Sequence, residues 1–295
     1  MNKPASIPAD LFAVFQACQI AGLQSSGARL LRRHANAVYL LPDANIVARV
    51  GDSRPATVEK ASRGVMITRW LAELGFPAVK PIDIKQPIVL DTAVVTFWRY
   101  YPQDDRGYPP ASHLGRLLRQ LHQAGNPPVS LPDYRPLAHF RNVLDTATGL
   151  IDRDLTFLED RHRALIAAFD EMAFLLPGGL IHGDAAASNT LWDGDRVVLS
   201  DWDAVCTGPR EQDLALTHQN ARIGLPHIDR EAFAQSYGFD VTKWVGYPIL
   251  RDIQELHTLT SLIRIAPHDQ AVADQLHLRI TCLRHKDFTT RWTAF

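Results

Sequence analysis

Apolar residues recur at three- and four-residue spacing between Pro8 and Leu23, at Leu11, Val14, Phe15, Cys18 and Ala21, which predicts an opening amphipathic helix. The pattern then shortens. Ala28 to Arg33, Ala37 to Leu41 and Ile46 to Gly51 are brief apolar or β-branched runs separated by turn-like His34-Ala35-Asn36 and Pro42-Asp43-Ala44-Asn45, which reads as an antiparallel meander. Pro55 can start a helix to about Leu74, because Val58, Ala61, Ile67, Trp70, Leu71 and Leu74 share one face before Gly75 and Pro77 end it. Two more strands, about Pro87 to Leu90 and Ala93 to Trp98, complete a small sheet with one helix on it.

Beyond a Pro-rich stretch from Tyr101 to Pro110, the periodicity is helical. Helices are expected at about Ala111 to Gln123, Leu137 to Leu150, Leu155 to Leu175, Gly208 to Ile223, Asp229 to Tyr237, Trp244 to Ile265 and Gln270 to His285. Between Leu180 and Ala204 the pattern changes again. Thr190-Leu191-Trp192 and Val197-Val198-Leu199 flank the turn residues Asp193-Gly194-Asp195, the signature of a hairpin. The chain therefore divides into a sheet-bearing part, 1–98, and a mostly helical part, 99–295.

Composition narrows the class. At 295 residues and 46% hydrophobic the chain can bury a large core. Its 31 basic and 32 acidic residues leave a formal net charge of −1, so no overall field favours nucleic acid or an anionic membrane. Charge is uneven, however, with 11 Lys/Arg against 7 Asp/Glu in residues 1–98 and 6 against 12 in residues 180–260. Three scattered cysteines, Cys18, Cys206 and Cys282, suit a reducing cytoplasm better than a disulfide scaffold or zinc site. The start of the chain lacks a secretory pattern, and no segment approaches about 18 uninterrupted apolar residues, so neither export nor a membrane span is expected.

The candidate chemistry sits at the ends of the hairpin. His182-Gly183-Asp184 is followed by Asn189 and then Asp201-Trp202-Asp203. Phosphoryl transfer asks for one carboxylate beside the incoming hydroxyl, and an amide oxygen plus a second carboxylate to hold magnesium on nucleotide phosphates. Asp184, Asn189 and Asp201 supply these groups in that order. Asp203 reads as a supporting carboxylate, and His182 as a hydrogen-bonded residue that fixes the loop. A metal-dependent hydrolase would want more histidine or carboxylate ligands nearby.

These motifs, with Gly208-Pro209-Arg210-Glu211-Gln212-Asp213-Leu214-Ala215, resemble the aminoglycoside phosphotransferase and choline kinase-like family. The resemblance extends from about Leu30 to Leu262, through Asn36-Ala37-Val38-Tyr39 and Arg69-Trp70-Leu71-Ala72-Glu73-Leu74-Gly75. It implies an α+β, bilobal protein-kinase-like fold that moves the γ-phosphate of ATP or GTP to a hydroxyl of a small molecule, with Mg²⁺. By position, Asp184 becomes the catalytic base, Asn189 and Asp201 the metal ligands, and Asp213 the acid that supports the catalytic loop. Arg49, in Val47-Ala48-Arg49-Val50, falls where the family places a phosphate-binding cation. Its expected glutamate partner is missing, since Gly64 occupies that place, and Glu59 is the substitute. Asn36 belongs to a loop without the glycine-rich phosphate cradle, and Phe97 and Trp98 are the candidate hinge against the nucleotide base. Trp244, Tyr247, Asp252 and Glu255 are candidates for the acceptor pocket. An aminoglycoside-like antibiotic, an amino alcohol or a sugar would fit as acceptor. The missing glutamate and glycine loop leave a catalytically silent nucleotide sensor or scaffold as the alternative.

Overall fold

The computed structural model describes residues 7–33, 36–103 and 106–294. In chain order the first elements are α1 (Ala9–Ala21), β1 (Arg29–Arg33), β2 (Ala37–Leu41), β3 (Ile46–Asp52), α2 (Pro55–Glu73), β4 (Ile88–Val89) and β5 (Ala93–Arg99). There follow α3 (Ala111–Leu121), α4 (Phe140–Asp145), α5 (Asp152–Asp170), β6 (Gly179–Ile181), β7 (Thr190–Asp193), β8 (Arg196–Leu199) and β9 (Cys206–Gly208). Helices α6 (Glu211–Gln219), α7 (His227–Tyr237), α8 (Tyr247–His257), α9 (Leu259–Ile265) and α10 (Gln270–His285) complete the chain. Among the described residues no helix is long and apolar enough to cross a membrane.

Packing groups these elements into two compact units. The first comprises the described parts of Met1–Pro109 and Ala124–Leu131 with Ser188–Val205, and the second holds Pro110–Gln123, Pro132–Ala187 and Cys206–Phe295 up to residue 294. A single cut after residue 98 would have separated 188–205 from the sheet with which it packs.

In the first unit an antiparallel sheet runs in the order β1-β2-β3-β5-β4. Side chains alternate across it, as a period of two requires. Tyr39, Leu41, Ala48, Val50, Val95 and Phe97 face one way and form a core with Val14, Ala17 and Cys18 of α1. Val38, Arg49, Thr96 and Trp98 face the other way, towards α2. Each face thus has its own helix, where the sequence predicted one.

The hairpin β7–β8 is tied to this sheet unit by backbone and side chains. Val79 N–H donates to Leu199 O at 2.9 Å, and Leu199 N–H to Pro77 O at 2.9 Å. The Gln103 amide closes a two-way pair with the Trp192 backbone, at 3.2 and 3.0 Å. Arg99 pairs with Asp193 at 2.8 Å, and Arg106 donates to Gly194 O at 2.7 Å.

In the second unit α3 packs closely on α7, with Gly115 at the crossing, and α6 packs on α8. Several expected helices are shorter than their periodicity. The one expected over Leu137 to Leu150 is confined to α4, with Leu137 at φ 55° before it and the Thr146 hydroxyl bonding back to Asn142 O after it. Trp244 to Ile265 splits into α8 and α9 at Thr258, whose hydroxyl donates to Glu255 O at 2.7 Å. The pair β6–β9 had no signal in the periodicity, being two three-residue strands, separate in sequence, that pair antiparallel.

Candidate active site

Asn189 and Asp201 lie at the two ends of the β7–β8 hairpin, and its register explains their proximity. Thr190 is opposite Leu199, and Ser200 closes the next rung by donating its N–H and its hydroxyl to Asn189 O, at 2.7 and 2.9 Å. Asp201 then adopts φ 61°, a left-handed conformation that Asp tolerates better than most residues. That bend sends Trp202 inwards. The indole is 2% exposed, donates to Leu199 O at 3.1 Å and packs edge-on against Phe76 at 6.0 Å. Its neighbours Asp201 and Asp203 bring their carboxylates to a cavity whose lining Trp202 shares.

This cavity, about 460 Å³, is formed within the first unit. Val38, Val47, Ala61, Val79 and Leu191 supply apolar walls, while Arg49, Asp201 and Asp203 bring charge into it. The Arg49 guanidinium forks onto Asp203, with Nη1 to Oδ1 at 2.7 Å and Nη2 to Oδ2 at 2.5 Å, and Nη2 also reaches Asp201 Oδ1 at 3.3 Å. Burial works against the charge on Arg49, but the carboxylates of Asp203 and Asp201 outweigh it and raise its pKa. The carboxylate partner expected on α2 is therefore found elsewhere: Glu59 is exposed, and the bonds of Arg49 go to Asp203 and Asp201.

The hinge expectation divides between its two residues. Phe97 is fully buried, its N–H donates to Gln86 Oε1 at 2.7 Å, and its carbonyl accepts from Ile82 N–H at 3.0 Å. Both its backbone groups are used and its ring belongs to the core under α1, so Phe97 is a core residue. Trp98 does line the cavity, its indole N–H donating to Thr96 Oγ1 at 2.8 Å. Just beyond, Tyr100 N–H pairs with Asn45 O in the β3 ladder. By the alternation of an antiparallel ladder, the Arg99 carbonyl and Tyr101 amide then point away from β3. No backbone bond among the described residues uses either group. Asn36 is placed with its Oδ1 against Gly51, where an added Cβ would meet it at 2.9 Å, and is not among the cavity residues. His34 and Ala35 of the same loop lie outside the described residues.

The second unit holds the other half of the motif. After β6, Gly183 takes φ 81°, which glycine adopts without a steric penalty. This turn directs His182 N–H and Gly183 N–H to the carboxylate of Asp213 on α6, at 2.7 and 2.8 Å. His122, fully packed at the end of α3, joins Asp213 to the Tyr237 hydroxyl through its two ring nitrogens, at 3.0 and 2.8 Å. Burial of Asp213 favours its neutral form, but the hydrogen bond and charge of His122, the charge of His182 and the His182 N–H hold its pKa below the usual carboxylate value. Asp184 is exposed on the loop so fixed, its own N–H 3.3 Å from His182 Nδ1. His257, exposed at the end of α8, lies within electrostatic reach of Asp184. Neither His257 nor the buried His122 carried a sequence signal, because each comes from a helix remote in the chain.

Three of the four acceptor candidates are engaged elsewhere. Glu255 is 1% exposed and accepts from Arg222 Nε at 2.6 Å. Asp252 is paired with Arg161 and, at 2.7 Å, with Arg251. Trp244 is buried against Phe174, ring centroids 5.7 Å apart. Tyr247 alone keeps a partly exposed ring, edge-on to His218 at 6.2 Å.

Residues 27–251 match the phosphotransferase enzyme family. The chain belongs to that family. Among solved structures it is similar to the amicoumacin kinase hAmiN, in complex with AMP-PNP, Ca²⁺ and Ami, with a TM-score of 0.77 at 13% identity over 97% of this chain and 96% of that one. A choline/ethanolamine kinase family protein from Mesorhizobium loti gives a TM-score of 0.66 at 17% identity, over 94% and 95% of the two chains. At such identities the likeness shows a shared fold, the kinase-like arrangement of an antiparallel sheet followed by helices. In sequence, the homoserine kinase of Methylobacterium nodulans is 36% identical over 106 residues, 35% of this chain. The match spans about a third, 33%, of that relative's length.

The side chains have chemistry that suits a nucleotide and a divalent cation. Asn189 and Asp201 offer hard oxygen donors of the kind a divalent cation such as Mg²⁺ prefers. The cavity has apolar walls, backbone groups at Arg99 and Tyr101 that no backbone bond among the described residues uses, and a guanidinium, a set whose chemistry suits a base and a phosphate.

Proposed function

We propose that this protein is a small-molecule kinase that moves the γ-phosphate of ATP or GTP to a hydroxyl group. The observation that carries this reading is the cavity of the first unit, apolar on its walls and charged through Arg49, Asp201 and Asp203. Arg49 would bind phosphate oxygens, and Trp98 with the Arg99 carbonyl and the Tyr101 amide would hold the base. Asn189 and Asp201 would hold Mg²⁺, which when bound neutralises phosphate charge. Asp184 would orient the acceptor O–H and take its proton as the bond to phosphorus forms. Asp213 would keep the Asp184 loop in place through the His182 and Gly183 amides. For the acceptor, the stretch shared with homoserine kinases favours an amino alcohol over a sugar or an aminoglycoside.

Calorimetric titration with ATP and GTP, with and without Mg²⁺, tests the first half. The wild type is expected to bind one of them more tightly with Mg²⁺, and Asp201→Ala to lose that increment. Turnover with homoserine, a sugar and an aminoglycoside tests the second. Asp184→Asn should keep nucleotide affinity and lose about 10²- to 10⁴-fold in rate. Undiminished turnover in that variant would remove Asp184 from the mechanism.

A further inference from the structure

The helix that packs over the cavity brings no acid to Arg49. Along α2 the cavity is lined by Ala61 and Gly64, and Glu59 is exposed. A Cβ at position 64 would meet only the Trp202 Cβ, at 3.9 Å, so the space is open and simply carries no carboxylate. The two acidic residues that line the cavity, Asp201 and Asp203, come from one short segment after β8.

Their contacts with Arg49 are unequal. Asp203 takes both terminal nitrogens at 2.7 and 2.5 Å, whereas Asp201 has a single contact at 3.3 Å. A fork of two parallel N–H···O bonds fixes the plane of a guanidinium, which one longer contact does not. Guanidinium carries five N–H donors. The three contacts named leave Nε–H and one Nη1–H, enough to bind phosphate without breaking the fork.

Resting on the kinase reading above, we infer that Asp203 is the positioning residue of Arg49, supplying from the metal segment the carboxylate that α2 lacks. It acts on nucleotide phosphate through Arg49 and is not itself needed to hold the divalent cation. Removing a negative charge beside the phosphates would by itself favour their binding. A loss of affinity on neutralising Asp203 therefore reports lost positioning.

The test is calorimetry with ADP and with adenosine in the presence of a chelator, so that no divalent ion contributes. Asp203→Asn is expected to weaken ADP about tenfold and to leave adenosine unchanged. In an Arg49→Ala background the same substitution should have no further effect on ADP. Arg49→Lys, which keeps the charge but not the fork, should repeat the pattern and covers a poorly folding Asp203 variant. Unchanged or tighter ADP binding by Asp203→Asn, or an equal effect with and without Arg49, would overturn the inference. Loss confined to Mg²⁺-dependent binding would overturn it too, by making Asp203 a metal ligand. If the wild type binds neither ADP nor ATP under any condition, it is the kinase reading that fails.

Discussion

His218 on α6 is 5% exposed, edge-on to Phe233 and Tyr247, and its Nε2 is buried without a hydrogen-bond partner among the described residues. Burial brings its pKa down to about 4, with Arg230 and His227 acting the same way and Asp240 opposing. Between that value and the ordinary one near 6.5 the unfolded chain binds more protons than the folded one, so stability rises with pH across this window. The contribution is complete above about pH 6.5 and is lost as pH falls towards 4. Urea unfolding at pH 7 and 4.5 should therefore show the wild type losing roughly 2 to 3 kcal/mol more than His218→Leu. Equal losses would mean that the imidazole is not held neutral by the fold. Nothing in the sequence distinguishes this histidine from the other 11. Asp184, Asn189 and Asp201 could be singled out as candidates because they fall at short spacings, whereas the pairing of Arg49 with Asp203 joins residues 154 apart and leaves no local pattern.

Two helical glycines illustrate what can and cannot be read at the level of an element. Gly115 in α3 lies so close to α7 that a Cβ would sit 2.5 Å from the Phe233 carbonyl oxygen and 3.2 Å from Tyr237 N, both backbone atoms. Gly115→Ala is expected to cost about 1–3 kcal/mol, since neither helix can yield without moving its neighbours. Gly64 in α2 has no such constraint, and Gly64→Ala should be neutral or stabilise by up to about 1 kcal/mol through helix propensity. Chemical denaturation of both variants checks the contrast, and a destabilised Gly64→Ala would show that the space beside Trp202 is tighter than it looks. From the sequence the two glycines are equivalent interruptions of an apolar pattern. Strand and helix positions were largely legible, α10 to the residue and β2 likewise. The misses have local causes: a left-handed Leu137, a hydroxyl turning back at Thr258, and strands β6 and β9 too short to show a period.

At the scale of the molecule, the first unit contains the whole lining of the cavity although its chain comes from three separate stretches. Hydrogen exchange with and without a nucleotide analogue should then show protection in β3, β5 and the β7–β8 hairpin together, since Arg99 at the end of β5 and Gln103 and Arg106 beyond it bind the hairpin. Protection of the sheet without the hairpin would argue that the two respond separately. The sequence by itself determined the alternation of strand and helix patterns, the hairpin turn and the acidic motif at its ends, because each depends on residues close in the chain. Only the tertiary structure decided that Asp203 and not Glu59 meets Arg49, that Phe97 is core while Trp98 faces the cavity, and that Asp252 and Glu255 are spent on arginines. Those outcomes depend on which surfaces meet after long stretches of chain have folded back. Local spacing carries no record of that, since a carboxylate reads the same in sequence whether a guanidinium or water will face it.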